Sequence, residues 1–392
     1  MGRLCTVRDV DWSGKTALVR VDFNVPMLNG QVADDTRIRA ALPTLRYLRE
    51  HGAKVVLLSH LGRPDGKPAD KFSLRPVADR AAELLGAPCT FATDCVGPAA
   101  EDAVSATGAG EVVLLENVRF HAEEEANDSG FAGQLAGLGD VFVNDAFGTA
   151  HRAHASTAGL AEFMPAVAGL LMAKEIVVIG TALEDPKRPF VAIVGGAKVS
   201  SKLAVLENLI ARVDRLLIGG GMANTFLKAQ GREVGQSLLE PDLVEAATNL
   251  LALGNKIVLP TDVVVTTDLK GSAPPRTCSA DQVGPEEMIV DIGPASVGVF
   301  RIEIGHAGTV LWNGPMGVFE DPRFAAGTLA VAHAMADSSA TTIVGGGESV
   351  QAVEQAGLAD RLTHVSTGGG ASLEFIEGKV LPGVAALKGD CS

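Results

Sequence analysis

Short apolar runs alternate along this chain with stretches whose apolar residues recur every three to four positions. That alternation is the pattern of a parallel sheet with crossover helices. In the first part, Ala17–Val21, Lys54–Leu58, Val112–Leu115 and Val141–Val143 are predicted strands. Between the first two, a helix is predicted from about Asp35-Thr36 to Gly52, with Ile38, Leu42, Leu45 and Leu48 on one face. Pro43 lies inside it and should kink it. The second part repeats the pattern with strands Val191–Val194, Leu216–Ile218, Lys256–Leu259, Val310–Trp312 and Thr342–Val344. Between the two parts, Ala166 to Leu183 predicts one apolar-rich helix, followed by the turn Glu184-Asp185-Pro186. The expected fold class is α/β: two doubly wound parallel-sheet lobes joined by a long helix.

Composition narrows the function. The 392 residues fit two domains, and 47% hydrophobic against 20% charged residues is ample for packed cores. The net charge of -14 argues against a nucleic-acid or anionic-membrane partner. Both parts share it: residues 1–165 hold 16 Lys and Arg against 22 Asp and Glu, and the remainder 17 against 25. Any anion affinity must therefore come from a few positive groups focused in one place. The 45 glycines are about 11% of the chain against a usual figure of roughly 7%, without any collagen-like period. They read as tight turns and places where a ligand approaches the backbone. Five cysteines (Cys5, Cys89, Cys95, Cys278 and Cys391) form no C-x-x-C pair and imply a reducing cytoplasm, with neither a disulfide scaffold nor a zinc site. No secretory signal opens the chain, and its longest nearly unbroken apolar stretch, Phe163 to Ala173, is too short for a membrane span. Met1-Gly2-Arg3-Leu4-Cys5-Thr6 matches the short myristoylation pattern, a weak signal.

Ligands of an open parallel sheet bind beyond the carboxyl ends of its strands. Following the first-part strands come Asp22-Phe23-Asn24, Ser59-His60-Leu61-Gly62-Arg63, Glu116 to Phe120 with Arg119, and Asn144 to His154 with Arg152. Arg37 opens the first helix, where free backbone N–H groups already favour an anion. Four arginines and His60 thus converge on one edge, and the planar guanidinium fork suits carboxylate and phosphate oxygens. A small acid phosphate fits such a pocket. One such arginine would most simply solvate its loop; four at successive strand ends make that reading the weaker one. Asp22 and Asn24 either cap a turn or orient a substrate hydroxyl and the arginines. His151 and His154 lack a third ligand and read as ordinary histidines beside the anion pocket.

In the second part, Val191 to Lys202 reads as strand, glycine turn and helix start, with Lys198 and Lys202 on one helix face. An anion between two ammonium groups relieves their repulsion, and a polyphosphate supplies one; a solvated helix face is the plainer alternative. Glycine runs follow further strands at Gly219–Gly221, Asn313 to Glu320, Gly345 to Ser349 and Gly368–Gly370. Each allows backbone N–H groups to line a phosphate or a flat base. Together they make a nucleotide site the leading interpretation. Neither the P-loop motif, nor a dinucleotide glycine fingerprint after a strand, nor the protein-kinase motif set occurs.

Taken together, Val19-Arg20-Val21-Asp22-Phe23-Asn24-Val25-Pro26, Ser59–Pro64, Gly148–His154, Gly195–Lys202, Trp312–Glu320 and Ser366–Ser372 resemble the motifs of the phosphoglycerate kinase family, in its order. The resemblance implies two Rossmann-like lobes about a cleft: residues 1–165 for phosphoglycerate, 166–185 as interlobe helix and hinge, and 186–375 for Mg-nucleotide. A tail of about 376–392 would return to the first lobe. The implied reaction moves a phosphoryl group reversibly from 1,3-bisphosphoglycerate to ADP, in the cytoplasm, as a monomer needing only small-molecule substrates and Mg²⁺. The substrate set it implies is Asp22, Phe23, Asn24, Arg37, His60, Leu61, Gly62, Arg63, Arg119 and Arg152. The nucleotide set is Gly195, Lys198, Lys202, Gly220, Asn313, Glu320, Gly346, Gly347, Glu348 and Ser349. Arg37, Lys198 and Lys202 would be catalytic. Two positions depart from the family pattern: Glu348 stands where an aspartate usually serves magnesium, and Asn224 where an aromatic residue is common. Another small carboxylic-acid kinase on the same scaffold, or a bilobal binding protein, are the alternatives; the arginine set disfavours the first and the lysine pair the second.

Overall fold

The structure is a computed structural model and describes residues 4–271 and 274–387, in two units. Gly2 of the myristoylation pattern, Cys391 and the last residues of the tail lie outside the described residues.

The first unit comprises residues up to Val177 together with those from Val380 onward. Its sheet contains β1 (Thr16–Arg20), β2 (Lys54–Leu58), β3 (Cys89–Phe91), β4 (Val112–Leu114), β5 (Val141–Asn144) and β6 (Ala166–Ala168). They lie in the order β3-β4-β2-β1-β5-β6, all parallel. The continuous apolar runs follow from this, because both faces are covered. Ala17, Val19, Val55 and Leu57 join one core cluster, whereas Leu18, Val56 and Leu58 join the cluster on the opposite face. Helix α1 (Thr36–Glu50) buries Ile38, Leu42, Leu45 and Leu48, the predicted face, and runs on through Pro43. Removing one such buried leucine side chain typically costs about 2–5 kcal/mol.

The predicted helix from Ala166 needs correction. Residues Ala166–Ala168 form β6 beside β5, and helix α2 spans only Leu170–Glu184. Its first N–H groups are met by side chains: Thr44 Oγ accepts from Leu170 at 2.9 Å, and Asp145 accepts from Leu171 and Met172 at 3.0 and 3.1 Å. The buried carboxyl of Asp145 is pushed up to about 6 by desolvation. In the returning C-terminal segment, the Gly383 N–H donates to the Ala150 carbonyl at 2.8 Å and the Gly383 carbonyl accepts from Asn144 Nδ2 at 3.2 Å.

The second unit spans Val178–Lys379. Its main sheet contains β7 (Phe190–Val194), β8 (Arg215–Ile218), β9 (Ile257–Val258), β13 (Thr309–Asn313), β14 (Thr341–Gly345) and β15 (His364–Val365). The order β9-β8-β7-β13-β14-β15 is parallel throughout, and the chain reverses its direction of winding between β7 and β13. That topological switch point is where such sheets bind ligands. A second, antiparallel sheet was not predicted: β10 (Asp262–Thr266) lies between β11 (Arg276–Ser279) and β12 (Met288–Ile292).

Cys5 is disulfide-bonded, and Cys89, Cys95 and Cys278 carry free thiols. No helix among the described residues is long and apolar enough to cross a membrane.

Candidate functional site

The first-unit residues singled out from the sequence meet at the carboxyl ends of β1, β2, β4 and β5. Asp22 accepts from Arg37 Nη1 at 2.9 Å, and the same nitrogen reaches the Asn24 carbonyl at 3.2 Å. Asn24 Oδ1 accepts the Gly62 N–H at 2.8 Å, and Arg119 Nη1 donates to the Gly62 carbonyl at 3.0 Å. Asp22 and Asn24 therefore organise the arginines as well as their own loop. Phe23 is buried, its N–H held by Ser59 Oγ at 2.9 Å, and Leu61 is buried too, its carbonyl accepting from Asn117. Those two support the loops from beneath. Arg63 is exposed, and Arg152 Nε donates to His151 Nε2 at 3.2 Å.

Arg20 and Glu124, joined through Ser156, belong to this arrangement and were not among the sequence candidates. Arg20 ends β1 almost wholly buried, donating to Ser156 Oγ at 2.7 Å, to the Val21 carbonyl and to His60 Nδ1 at 3.2 Å. Glu124, also buried, accepts from Ser156 N and Oγ at 2.9 and 2.6 Å and supplies the counter-charge. A guanidinium can only donate, so His60 Nδ1 is the acceptor and a neutral ring carries its proton on Nε2. Burial, then Arg20, Arg119, Arg152 and Arg37, pushes the His60 pKa well below its ordinary value. His154 is likewise pushed down to about 4 by burial, then by Arg119, Arg20 and Arg152. Both rings are neutral near pH 7, leaving the arginines as the positive groups. Arg119 is the least satisfied of them. It is buried, its Nε faces Glu125 at 3.2 Å, and its Nη2 has no hydrogen-bond partner. A buried unpaired guanidinium nitrogen is costly unless an anion completes it.

In the second unit the loops after β7, β8 and β13 are laced together. Gly195 N–H donates to the Asn313 carbonyl at 3.0 Å, Gly196 N–H to Pro315 at 2.9 Å, and Gly220 N–H to Met316 at 2.9 Å. These N–H groups are used within the protein, so the glycines there serve close loop approach more than phosphate binding. The predicted lysine pair also differs. Residues 195–202 form a loop, and helix α3 begins only at Leu203, with Lys202 as its N-cap. Buried Val199 turns the chain, and Glu240 accepts from Ser200 N at 3.0 Å and Oγ at 2.5 Å. Lys198 is exposed, whereas Lys202 Nζ is tucked against the carbonyls of Gly195 and Asn313 at 2.7 and 3.1 Å. Burial pushes the Lys202 pKa down to about 8, with Glu348 pulling it up.

Asn313 closes this corner. It is buried, and its Nδ2 has no hydrogen-bond partner, so the second unit too holds an orphaned buried donor. Helix α5 (Gly347–Gln355) starts beside it, with Ser349 Oγ accepting the Gly314 N–H at 2.5 Å. Gly346 has φ +87°, and a Cβ there would come within 2.9 Å of Asn313 Nδ2. Next to these loops opens a cavity of about 290 Å³. Gly196, Gly220 and Glu348 line one part; Leu238, Val263, Leu269, Met288 and Val290 make the rest apolar, and Glu320 also contributes. Its wall is the unpredicted antiparallel sheet. There Asp291, pushed up to about 7 by burial, accepts from Gly327 and Ile292 N–H at 2.7 and 2.9 Å. Asn224 lines the cavity through α4 (Met222–Ala229), donating to the Leu238 carbonyl at 3.0 Å. At the Gly368–Gly370 run, Gly368 N–H donates to Ser366 Oγ at 3.1 Å.

The first unit thus gathers arginines around two neutral histidines, and the second presents a polar corner opening into an apolar cavity. Comparison with known proteins points to one family. The family model described as phosphoglycerate kinase matches residues 7–379. Phosphoglycerate kinase of Chloroflexus aggregans is 59% identical over 393 residues, covering 98% of each chain. That of Roseiflexus sp. is 59% identical over 388 residues, covering 97% of this chain and 98% of its own. The solved structure of phosphoglycerate kinase from Coxiella burnetii superposes with a TM-score of 0.91 at 43% identity, covering 98% of this chain and 99% of that one. Continuous similarity of this extent, in sequence and in both sheets, means that the chain belongs to the phosphoglycerate kinase family.

Proposed function

We propose that this phosphotransferase of glycolysis binds phosphoglycerate through Arg37, His60, Arg63, Arg119 and Arg152 of the first unit and Mg-nucleotide through the second. The observation that carries this reading is the pair of orphaned buried donors, Arg119 Nη2 and Asn313 Nδ2. Each sits among groups that favour anions, and each lacks an acceptor that a carboxylate or phosphate oxygen supplies. The base fits the apolar cavity, with Glu320 near the ribose and Gly346 to Ser349 along the polyphosphate. Glu348 is an exposed carboxylate beside Lys202, a hard oxygen donor suited to magnesium, which keeps several waters. When bound there, Mg²⁺ supplies charge neutralisation for the polyphosphate oxygens.

The reaction is in-line transfer between the acyl phosphate and ADP with no phosphoenzyme. Such transfer asks a protein for alignment and neutralisation more than for covalent chemistry. Arg37, Lys198 and Lys202 neutralise the transferring group, and closure of the two lobes about α2 excludes water. The enzyme acts as a cytoplasmic monomer. The three free thiols agree with that compartment, and the Cys5 disulfide stands against it. A coupled assay with MgATP and a panel of acids tests the assignment. Turnover is expected with 3-phosphoglycerate alone; preferential turnover of acetate or carbamate would replace the acceptor.

Two further outcomes follow from the nucleotide corner. Because the Lys202 pKa is about 8, its charge is lost as the pH rises through that value, whereas a bound polyphosphate holds the proton on. The dissociation constant for MgADP should accordingly rise above about pH 8. Lys202→Arg should flatten the profile, since arginine stays charged; an unchanged profile in that variant removes Lys202 from the explanation. For Glu348→Asp, activity is expected to persist with a changed half-saturating magnesium concentration. Complete loss with intact folding would show a site rebuilt around glutamate.

A further inference from the structure

Apart from both substrate sites, one group of side chains brings together donors of three chemical types. Asp94 and Cys95 lie on the loop after β3, and His121 follows the 3-10 turn Val118–Phe120 that carries Arg119. One carboxylate oxygen, one thiol sulfur and one imidazole nitrogen thereby lie within 4.8 Å of one another. The group is well ordered by its surroundings. Asp94 Oδ1 is 2.8 Å from His121 Nε2 and accepts the Cys95 backbone N–H at 2.7 Å. The His121 ring rests against Phe131 with centroids 5.1 Å apart. Cys95 is buried, while the Asp94 and His121 side chains keep 45% and 28% of their exposure, so water reaches one side.

Two simpler readings each cover part of this. A half-exposed histidine–carboxylate pair forms on many surfaces, and a buried cysteine often acts as a small apolar residue, as Cys95 does in its core cluster. Neither reading requires all three donor types to meet at one point from two separate loops. The absence of a C-x-x-C pair does not bear on it, because the donors come from two separated stretches of chain.

We propose that Asp94, Cys95 and His121 bind one zinc-class divalent cation, with water completing a four-coordinate site. A thiolate, an imidazole and a carboxylate match zinc, whereas magnesium takes oxygen ligands. The cation replaces the direct His121–Asp94 hydrogen bond. As the sulfur–metal bond forms, the Cys95 thiol proton passes to solvent. The site ties the β3 loop to the turn that carries Arg119, so it braces one wall of the acid site and takes no part in transfer.

Cobalt(II) is the probe, added to the full chain saturated with MgADP so that the nucleotide site is filled. One equivalent is expected to raise a sulfur-to-cobalt charge-transfer band, which zinc displaces and which Cys95→Ala lacks. His121→Ala should weaken cobalt binding by at least about 10-fold, since even loss of an outer partner costs 10–100-fold. No band in the native chain, or a band that survives Cys95→Ala, overturns the proposal, the latter pointing to Cys89 or Cys278. Should Cys95→Ala fail to fold, His121→Ala and Asp94→Asn decide: undiminished affinity in both overturns it as well.

Discussion

Arg37→Ala is expected to lower kcat by about 10²–10³-fold, the usual loss when one preorganised transition-state donor is removed, with little change in the dissociation constant for MgADP. Arg37 is placed by its neighbours before substrate arrives: Asp22 and the Asn24 carbonyl both take Nη1. Its side chain nonetheless keeps 37% of its exposure, so the rest of the fork stays accessible. Buried Arg119 has no such freedom, and its expected part is ground-state binding of the acid. The two should separate kinetically: Arg119→Ala raises the KM for 3-phosphoglycerate, whereas Arg37→Ala acts on kcat. Arg37→Lys should recover only part of the loss, because an ammonium cannot copy the planar fork. Steady-state kinetics with direct measurement of nucleotide binding checks the assignment. Equal losses in nucleotide affinity and kcat would show that Arg37 acts through the fold.

That Arg37, Arg119 and His60 were legible in the sequence, and Arg20 and Glu124 were not, has a physical reason. His60 and Arg119 stand just beyond strand ends, where any parallel sheet presents its ligands, and Arg37 opens α1, where free N–H groups favour an anion. Arg20 is the last residue of β1 itself, in a run otherwise apolar, and Glu124 sits in a run of three glutamates that reads as a solvated face. Only the folded chain brings them to the same serine, Ser156. The inner strands of both parallel sheets were visible for the corresponding reason: burial on both faces makes them continuous apolar runs. The edge strands β3 and β15 and the β10–β12 sheet lack that signature, and β6 runs almost directly into the apolar helix that follows it. Thr266, Arg276 and Ser279 end or open strands, and a register shift between Val264 and Val265 interrupts the pairing.

The glycine runs also serve a purpose that the sequence reading did not include. Their N–H groups at Gly195, Gly196 and Gly220 bind neighbouring loops, so under the proposed function phosphate binding would fall to Lys202, Asn313 and the start of α5. Loop lacing of this kind makes the nucleotide corner a single mechanical piece. It also explains why Lys202 is so constrained: the same two carbonyls that anchor Nζ belong to the laced loops.

Gly314→Ala should show this most directly. Gly314 has φ +98°, and a Cβ there would lie 2.2 Å from the Gly195 carbonyl oxygen and 2.3 Å from Lys202 Nζ. The lysine end could swing away, but the Gly195 backbone is pinned by its bond to Asn313, so the laced loops must part. Gly314 also donates to Ser349 Oγ at 2.5 Å and accepts from Trp312 Nε1 at 2.7 Å, which carries the displacement toward α5. A strained backbone position of this type costs about 1–3 kcal/mol, equivalent to roughly 5- to 150-fold in affinity if it is relieved by opening the site. MgADP binding is expected to weaken within that range while 3-phosphoglycerate binding is kept, because every residue proposed to bind the acid belongs to the first unit. Calorimetric titration of each ligand measures the two effects separately. Unchanged MgADP affinity would mean that the loops do not act as one piece, and equal loss of both ligands would mean that the substitution unfolds the chain.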